Sequence, residues 1–179
     1  RRSSDLRRQW IREGREYSFA DLENAAWKAE GLKSFIDPDF DAFAGPGNMP
    51  KRIREYCKNT NQPIPETEGD VIRCIAQSLA MKCAYAVKGL EDTLGKKIDV
   101  IHMLGGGIKD KMVCKFIANA TGKKVIAGPV EATSTGNALM QLTALGKIKD
   151  LNEAREVVRN SFDVTEYMPE EPEKWDRAY

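Results

Sequence analysis

The sequence predicts one α/β domain in which helices pack around a small sheet. Two apolar segments rich in β-branched residues, 98–104 and 124–127, flank a segment of helical periodicity, and each ends at a glycine-containing turn. This order of strand, glycine turn, helix and strand is typical of a parallel strand pair joined by a right-handed crossover. The 179 residues have the size of one domain, and 41% hydrophobic residues suffice for a core.

The composition argues against several classes of partner. The 28 Lys and Arg residues balance 27 Asp and Glu residues, so the net charge of +1 provides no field to attract nucleic acid or an anionic membrane. The apolar runs are far shorter than the about 20 residues that cross a bilayer. We therefore expect a cytoplasmic protein that binds neither nucleic acid nor membranes.

Metal and disulfide chemistry have little support in the sequence. The four cysteines are spaced too widely for a CxxC knuckle, and a single histidine, His102, cannot complete a Cys/His zinc set. Cys57 and Cys74 both lie in helix-sized segments. They are either small buried residues or partners in a disulfide, and the sequence leaves both readings open.

The first half of the chain is predicted to be mainly helical. Two helices are expected in the first forty residues, and the second begins at Ser18 with Asp21 three positions later. Pro38 favours an extended conformation over 35–39 because the residue before a proline avoids the helical region. A loop follows over 42–50, and the next helix spans 49–58.

The strongest predicted helix follows Pro65. Thr67 and Asp70 can cap its start, and apolar residues recur every three or four positions up to Gly95, a length of about seven turns. Its small residues should allow close approach to a flat partner, which in an α/β domain is the sheet. These residues are Ala76, Ala80, Ala84 and Ala86.

The last third of the chain predicts two more helices and a tail. One helix carries Ala138, Leu139, Leu142 and Leu145 and ends at Gly146, and an amphipathic helix spans 151–160. The residues from 169 onward are acidic and interrupted by proline, which predicts a loosely held tail. We accordingly expect a domain over residues 1–168 and an acidic tail over 169–179.

Two glycine-bearing turns are the candidate ligand site. Residues 105–107 are three glycines at a predicted strand-to-helix junction, where an open α/β sheet leaves a crevice for ligands. The second turn, in the segment 127–138 (AGPVEATSTGNA), also follows a strand, and its Gly136 fits a helix start that packs closely on backbone. Because parallel strands end at the same edge, both turns should face one nucleotide or sugar pocket.

Other polar residues are weaker candidates. His102 lies in an apolar strand and has no carboxylate at a recognisable spacing, so we expect a buried or half-buried imidazole that does not act as a base. Glu131 could orient backbone or water near the second turn, but a structural role is favoured. No Ser/His/Asp or Cys/His order indicates a covalent nucleophile.

At these turns the chain resembles the carboxy-terminal domain of the rhamnulokinases, a family of FGGY-type carbohydrate kinases. The resemblance rests on residues 103–110 (MLGGGIKD) and 125–138 (VIAGPVEATSTGNA), and it extends from about residue 5 to 168. The triple glycine is common to many sugar kinases, whereas the AGPVEAT and QPIP sequences favour rhamnulokinases. Further matching segments are 35–38, 49–57, 62–67, 73–75, 78–80 and 153–155, with Phe162 beyond them.

The resemblance implies an actin-like ATPase (RNase H-like) half-domain, with helices packed around a mixed sheet, whose glycine turn lines an adenosine pocket. By position, Gly106 corresponds to the nucleotide-contact glycine, and Gly105 and Gly107 flank it. Ile108 and Asp110 complete the implied ATP-binding set. Asp110 stands where relatives usually have Asn, and a carboxylate cannot donate the hydrogen bond that an amide can.

The resemblance also implies what a complete enzyme would do and what this chain lacks. Such an enzyme transfers the γ-phosphate of ATP to the 1-hydroxyl of L-rhamnulose in rhamnose catabolism. Its amino-terminal half supplies the Asp-Gly-Thr phosphate loop, the sugar site, the catalytic Asp and most of the Mg²⁺ environment. None of these lies in the 179 residues, so we expect no catalytic or metal-binding residue here and negligible kinase activity from this chain alone.

Two alternatives to this interpretation remain open. The chain could be the equivalent domain of another FGGY kinase, acting on xylulose, ribulose or glycerol, because the sugar site is not in this segment. It could also be a non-catalytic interaction module whose glycine loops are only turns. In the rhamnulokinase interpretation, the partner of this domain is its own amino-terminal domain, and the face that meets it could drive self-association of the fragment.

Overall fold

A computed structural model describes residues 2–178 and places them in a mixed α/β fold. The helices are α1 (Arg2–Arg12), α2 (Phe19–Lys28), α3 (Met49–Asn59), α4 (Glu68–Leu94), α5 (Lys111–Thr121), α6 (Ala132–Ala144), α7 (Leu151–Ser161) and α8 (Pro172–Ala178). The strands are β1 (Val100–Met103), β2 (Lys124–Ala127) and β3 (Thr165–Tyr167). Short 3-10 turns cover Asp41–Phe43 and Gly106–Lys109.

The described strands form one mixed sheet in the order β1-β2-β3. β1 and β2 run parallel, with Ile101 opposite Val125, and α5 is the crossover between them. This confirms the predicted strand–helix–strand unit. β3 was not predicted; it pairs antiparallel with β2, with Glu166 opposite Ile126.

The predicted helix starts of α2 and α4 are both capping boxes. The Ser18 hydroxyl accepts from the N–H of Asp21, and the Asp21 carboxylate accepts from the N–H of Ser18. Thr67 and Asp70 make the same reciprocal pair at α4. Each box satisfies two donors that a helix start leaves without intrahelical partners, so these boundaries follow from local sequence.

The first apolar core joins the amino-terminal helices. Trp10 of α1, Leu22 of α2, Ile53 of α3 and Val71 of α4 are all buried in it. Cys57 and Cys74 belong to the same core as free thiols. A hydrogen bond from the Cys74 thiol lowers the pKa of Cys57, while this bond and burial raise the pKa of Cys74. The structure therefore presents the two cysteines as buried thiols, without a disulfide.

The second core corrects the expected partner of the α4 alanines. Ala76 and Ala80 are buried in it together with Met112 and Phe116 of α5. α4 packs chiefly on α5 and α2, and it is α5 that packs on β2 and β3. The crossover helix α5, and not α4 as predicted, therefore forms the layer next to the sheet. Ala86 is exposed and takes no part in this packing.

The tail is packed, not loosely held. Trp175 of α8 is only 5% exposed, and its ring lies 5.2 Å from that of Phe116. The backbone N–H of Glu170 donates to Oδ1 of Asn119 at 2.8 Å, and Lys115 donates to the Met168 carbonyl at 3.1 Å. Burial of the large aromatic side chain of Trp175 holds the tail on the domain despite its acidic composition. The division into residues 1–168 and 169–179 stays a prediction.

None of the helices within residues 2–178 is both long enough and apolar enough to span a membrane.

We expect Gly69→Ala to destabilise the fold. A Cβ at Gly69 would lie 2.5 Å from the Ala25 carbonyl oxygen, so α4 would have to move away from α2. Overpacking of this kind costs about 1–3 kcal/mol. Urea denaturation should show a lower midpoint, whereas Gly89→Ala on the same helix, where a Cβ meets open space, should leave it unchanged or raise it. Equal midpoints for the two variants would contradict the close α2–α4 contact.

Candidate functional site

The two glycine turns meet at one corner of the sheet, as the sequence predicts. The N–H of Gly128 donates to the Met103 carbonyl at 2.9 Å, and the N–H of Gly105 donates to the Pro129 carbonyl at 3.3 Å. These bonds extend the parallel ladder of β1 and β2 past the ends of the strands. We call residues 105–107 together with Gly128 and Pro129 the glycine corner.

Two glycines of the corner are required by backbone conformation. Gly105 has φ of +79° and Gly128 has φ of +136°, values that side chains disfavour. A Cβ on Gly128 would also lie 2.9 Å from the Asp163 carbonyl oxygen, so the chain entering β3 leaves no room for one. The peptide bond between Gly128 and Pro129 is cis.

The other two glycines leave the corner open. A Cβ built on Gly106 or Gly107 meets no atom within 4 Å among the described residues, and both glycines are exposed. The 3-10 turn Gly106–Lys109 folds back on itself, because the N–H of Ile108 donates to the Gly105 carbonyl at 3.3 Å. A flat ligand could therefore approach the main chain here without displacing a side chain.

Ile108 and Asp110 serve the start of α5. The Asp110 carboxylate accepts from the N–H of Val113 at 3.0 Å, and the half-buried Ile108 receives the Cys114 thiol at its carbonyl, 3.8 Å away. Asp110 is exposed as a residue, yet neighbouring protein atoms still desolvate its carboxylate. This desolvation raises the pKa of Asp110 despite the opposing Val113 bond, and the charge of Glu23 adds to the rise.

Two residues after the second strand, Gly136 and Glu131, take no part in the glycine corner. A Cβ on Gly136 would meet open space, so this glycine makes no close packing with neighbouring backbone in the described chain. The Glu131 carbonyl accepts from the N–H and the hydroxyl of Thr135, while its carboxylate is exposed. The structural role predicted for Glu131 thus comes from its main-chain carbonyl, which accepts hydrogen bonds in the first turn of α6.

His102 is exposed, not buried as predicted. Ile101 and Met103 pack on the core formed by α4 and α5, so the alternation along β1 turns His102 to the opposite face of the sheet. The exposure of His102 shows that this face of β1 is open to solvent at that position. The apolar neighbours of His102 in sequence indicated a strand correctly but could not show that only one face is covered.

A buried carboxylate that the sequence analysis missed sets the position of both parallel strands. Glu91, at the end of α4, accepts from the N–H of Ile98 at 2.7 Å and from Nζ of Lys123 at 2.7 Å. Lys97 adds a contact at 3.3 Å. The backbone bond and the Lys123 bond lower the pKa of Glu91 to about 2 despite its desolvation. Ile98 precedes β1 and Lys123 precedes β2, so one side chain aligns both strand entries.

No group of three or more His, Cys, Asp or Glu side chains in residues 2–178 is arranged to hold a metal ion.

Comparison with known proteins assigns most of the chain to one family. The model of the FGGY family of carbohydrate kinases, C-terminal domain, matches residues 1–145. A rhamnulokinase from Bacillus subtilis is 43% identical over 156 residues, which is 87% of this chain and 32% of that protein. A rhamnulokinase from Bacteroides thetaiotaomicron is 38% identical over 162 residues, 90% of this chain and 33% of its own length. The chain thus spans about a third of these relatives.

Solved structures show the same fold. A Plasmodium falciparum glycerol kinase with ADP superposes with a TM-score of 0.64 at 15% identity, covering 94% of this chain and 34% of the kinase. A xylulose kinase from Rhodospirillum rubrum gives 0.63 at 20% identity, covering 99% and 36%. These likenesses confirm the predicted actin-like fold class.

We expect Glu91→Gln to destabilise the protein in a pH-dependent way. Because the folded-state pKa of about 2 lies below the ordinary 4.5, the Glu91 carboxylate stabilises the fold above about pH 4.5, and this stabilisation is lost as the pH falls toward 2. The wild type should have the higher urea midpoint at neutral pH, and the difference should shrink on acidification. Asp92→Asn, the same change at the exposed neighbouring position, should show no such trend. A difference in urea midpoint between wild type and Glu91→Gln that stays constant with pH would contradict the stabilising role of the ionised Glu91.

Proposed function

The chain belongs to the FGGY family of carbohydrate kinases as its C-terminal domain, and on this premise we propose that it is the carboxy-terminal ATP-binding domain of a rhamnulokinase. The observation that carries the proposal is the glycine corner. Two turns from neighbouring parallel strands are hydrogen-bonded side by side, and Gly106 and Gly107 leave their outer surface free of side chains. An adenosine can lie against this main chain at van der Waals distance.

Two further observations support rhamnulose over other sugars. The relatives that match most of this chain at 33–43% identity bear the name rhamnulokinase. The AGPVEAT and QPIP sequences fall in the second turn and in the segment before α4, both outside the common triple glycine. In this proposal the residues that bind the sugar lie outside residues 1–179.

The chain's part in the reaction is binding and orientation. The main chain at 105–107 would hold the adenosine, and Ile108 and Asp110 would border it. The Asp110 carboxylate accepts hydrogen bonds only, so it would serve the nucleotide differently from an Asn at this position. ATP with Mg²⁺ supplies the phosphoryl group that passes to the sugar hydroxyl. The residues that place the metal and take the hydroxyl proton would belong to the amino-terminal part of the enzyme.

The proposed partner of this domain is that amino-terminal part of the enzyme. Met140 of α6 and Leu145 directly after it are 67% and 72% exposed, and Leu151 at the start of α7 is 62% exposed. Large apolar side chains exposed on these two helices support a contact surface at this place. The same residues would favour self-association of the isolated chain. A cytoplasmic location, expected from the sequence, stays a prediction.

The sugar specificity is tested with the intact gene product. Assays with L-rhamnulose, xylulose, ribulose and glycerol should give phosphorylation chiefly of L-rhamnulose. Preference for another sugar would favour a different FGGY kinase. An upstream reading frame without an Asp-Gly-Thr motif, together with no kinase activity, would favour an interaction module.

The glycine corner is tested by titrating this chain with ATP. Binding should be weak, because only one wall of the cleft is present, and Gly106→Val should weaken it by roughly tenfold through steric exclusion. Gly89→Val is the matched control, since a side chain at Gly89 also meets open space but lies in α4. Equal affinities of the wild type and Gly106→Val would remove the turn from the site.

A further inference from the structure

A second cleft lies beside the first half of α4, away from the glycine corner. It has a volume of about 420 Å³ and is bounded by the connection after α2, by the Pro-Ile-Pro segment 63–65 and by α4. None of its lining residues belongs to the glycine corner or to the residues proposed to border the adenosine. The volume falls in the range of small-molecule sites. We call it the α2–α4 cleft.

Gln77 gives this cleft an unused hydrogen-bond donor. The residue lines the cleft and is only 2% exposed. Its Oε1 accepts from the N–H of Leu32 at 3.0 Å, which fixes the orientation of the amide. Its Nε2 donates to no acceptor within residues 2–178. Only Trp10 Nε1 and Arg73 Nε are fully buried without a partner among the described side chains, so Nε2 of Gln77 keeps contact with solvent, and a ligand oxygen would replace water as its acceptor.

The rim of the cleft favours a cation. Glu30, Glu66 and Asp70 face Lys33 as the single lining base, which leaves an excess of two negative charges. Lys33 pairs with Glu30 at 2.5 Å. The Glu66 carboxylate has no ion pair or hydrogen bond to any other described residue. The Lys33 charge already interacts with Glu66 and Asp70, and the Asp70 carboxylate accepts from the N–H of Thr67. A ligand ammonium would therefore meet Glu66 as the rim carboxylate without a direct hydrogen bond.

We propose that the α2–α4 cleft binds a small hydroxylated amine of about the size of an amino sugar. One ligand oxygen accepts from Nε2 of Gln77, and the protonated amine lies against the Glu66 and Asp70 carboxylates. An uncharged sugar satisfies only the first of these requirements, and a simple alkylamine satisfies only the second. An anion is repelled by the rim.

The test is an NMR titration of the ¹⁵N-labelled chain at about pH 6, where an aliphatic α-amino group is protonated. The Gln77 side-chain NH₂ resonance is the reporter. Glucosamine should shift it saturably, and glucose, which differs in carrying a hydroxyl in place of the amine, should bind at least about threefold more weakly. Ethylamine should leave the Gln77 resonance unshifted because it offers no acceptor.

Matched variants separate the two contacts. Glu66→Gln should weaken glucosamine binding by about two- to fivefold, the effect of one exposed charge pair, and bring it close to that of glucose. Glu156→Gln on α7 makes the same charge change outside the cleft and should leave binding unchanged. A glucosamine response no larger than that of glucose, an unchanged affinity in Glu66→Gln, or an unshifted Gln77 resonance would overturn the proposal. The readout involves neither ATP nor kinase activity, so its failure leaves the proposed function untouched.

Discussion

The parallel hydrogen-bond ladder between β1 and β2 is the interaction on which the candidate site depends. It continues beyond the strands through Gly105 and Gly128, so backbone hydrogen bonds join the two turns directly. The α5 crossover brings β2 alongside β1, and Glu91 aligns their starts through Ile98 and Lys123. The glycine corner is therefore positioned by backbone bonds at one end and by a buried carboxylate at the other.

The sheet is covered on one face, and this explains several exposed residues at once. α5 packs on β2 and β3, and α4 packs behind α5. His102 points to the other face, and the apolar residues of α6 are largely exposed. The chain spans only about a third of its rhamnulokinase relatives. In the longer protein proposed above, these surfaces would lie where the chain meets the rest of the kinase.

Two buried polar side chains on α4 illustrate opposite ways of using a polar group. Glu91 has its charge matched by two lysines and a backbone N–H, so its interactions stabilise the fold. Gln77 uses only its oxygen within the protein and leaves its amide nitrogen toward a cleft. A fully satisfied group holds elements together, whereas the unused nitrogen of Gln77 is the donor that the proposed ligand would engage.

The local signals in the sequence were sufficient for most helices, for the parallel pair and for the glycine turns. The capping boxes at Ser18 and Thr67 and the glycine ends at Gly95 and Gly122 act within one helical turn, so they can be read without knowing the fold. The family, too, was recognisable from the sequences of the two turns.

Long-range contacts decided the rest. β3 is three residues long and is held by pairing with β2, and α8 is anchored by Trp175 on Phe116. Which face of β1 is covered, which helix lies next to the sheet and where the α2–α4 cleft opens all depend on the packing of segments distant in sequence. The sequence by itself determined the elements and the glycine turns; only the tertiary structure decided what those elements bury, because burial is a property of neighbours that a local pattern does not contain.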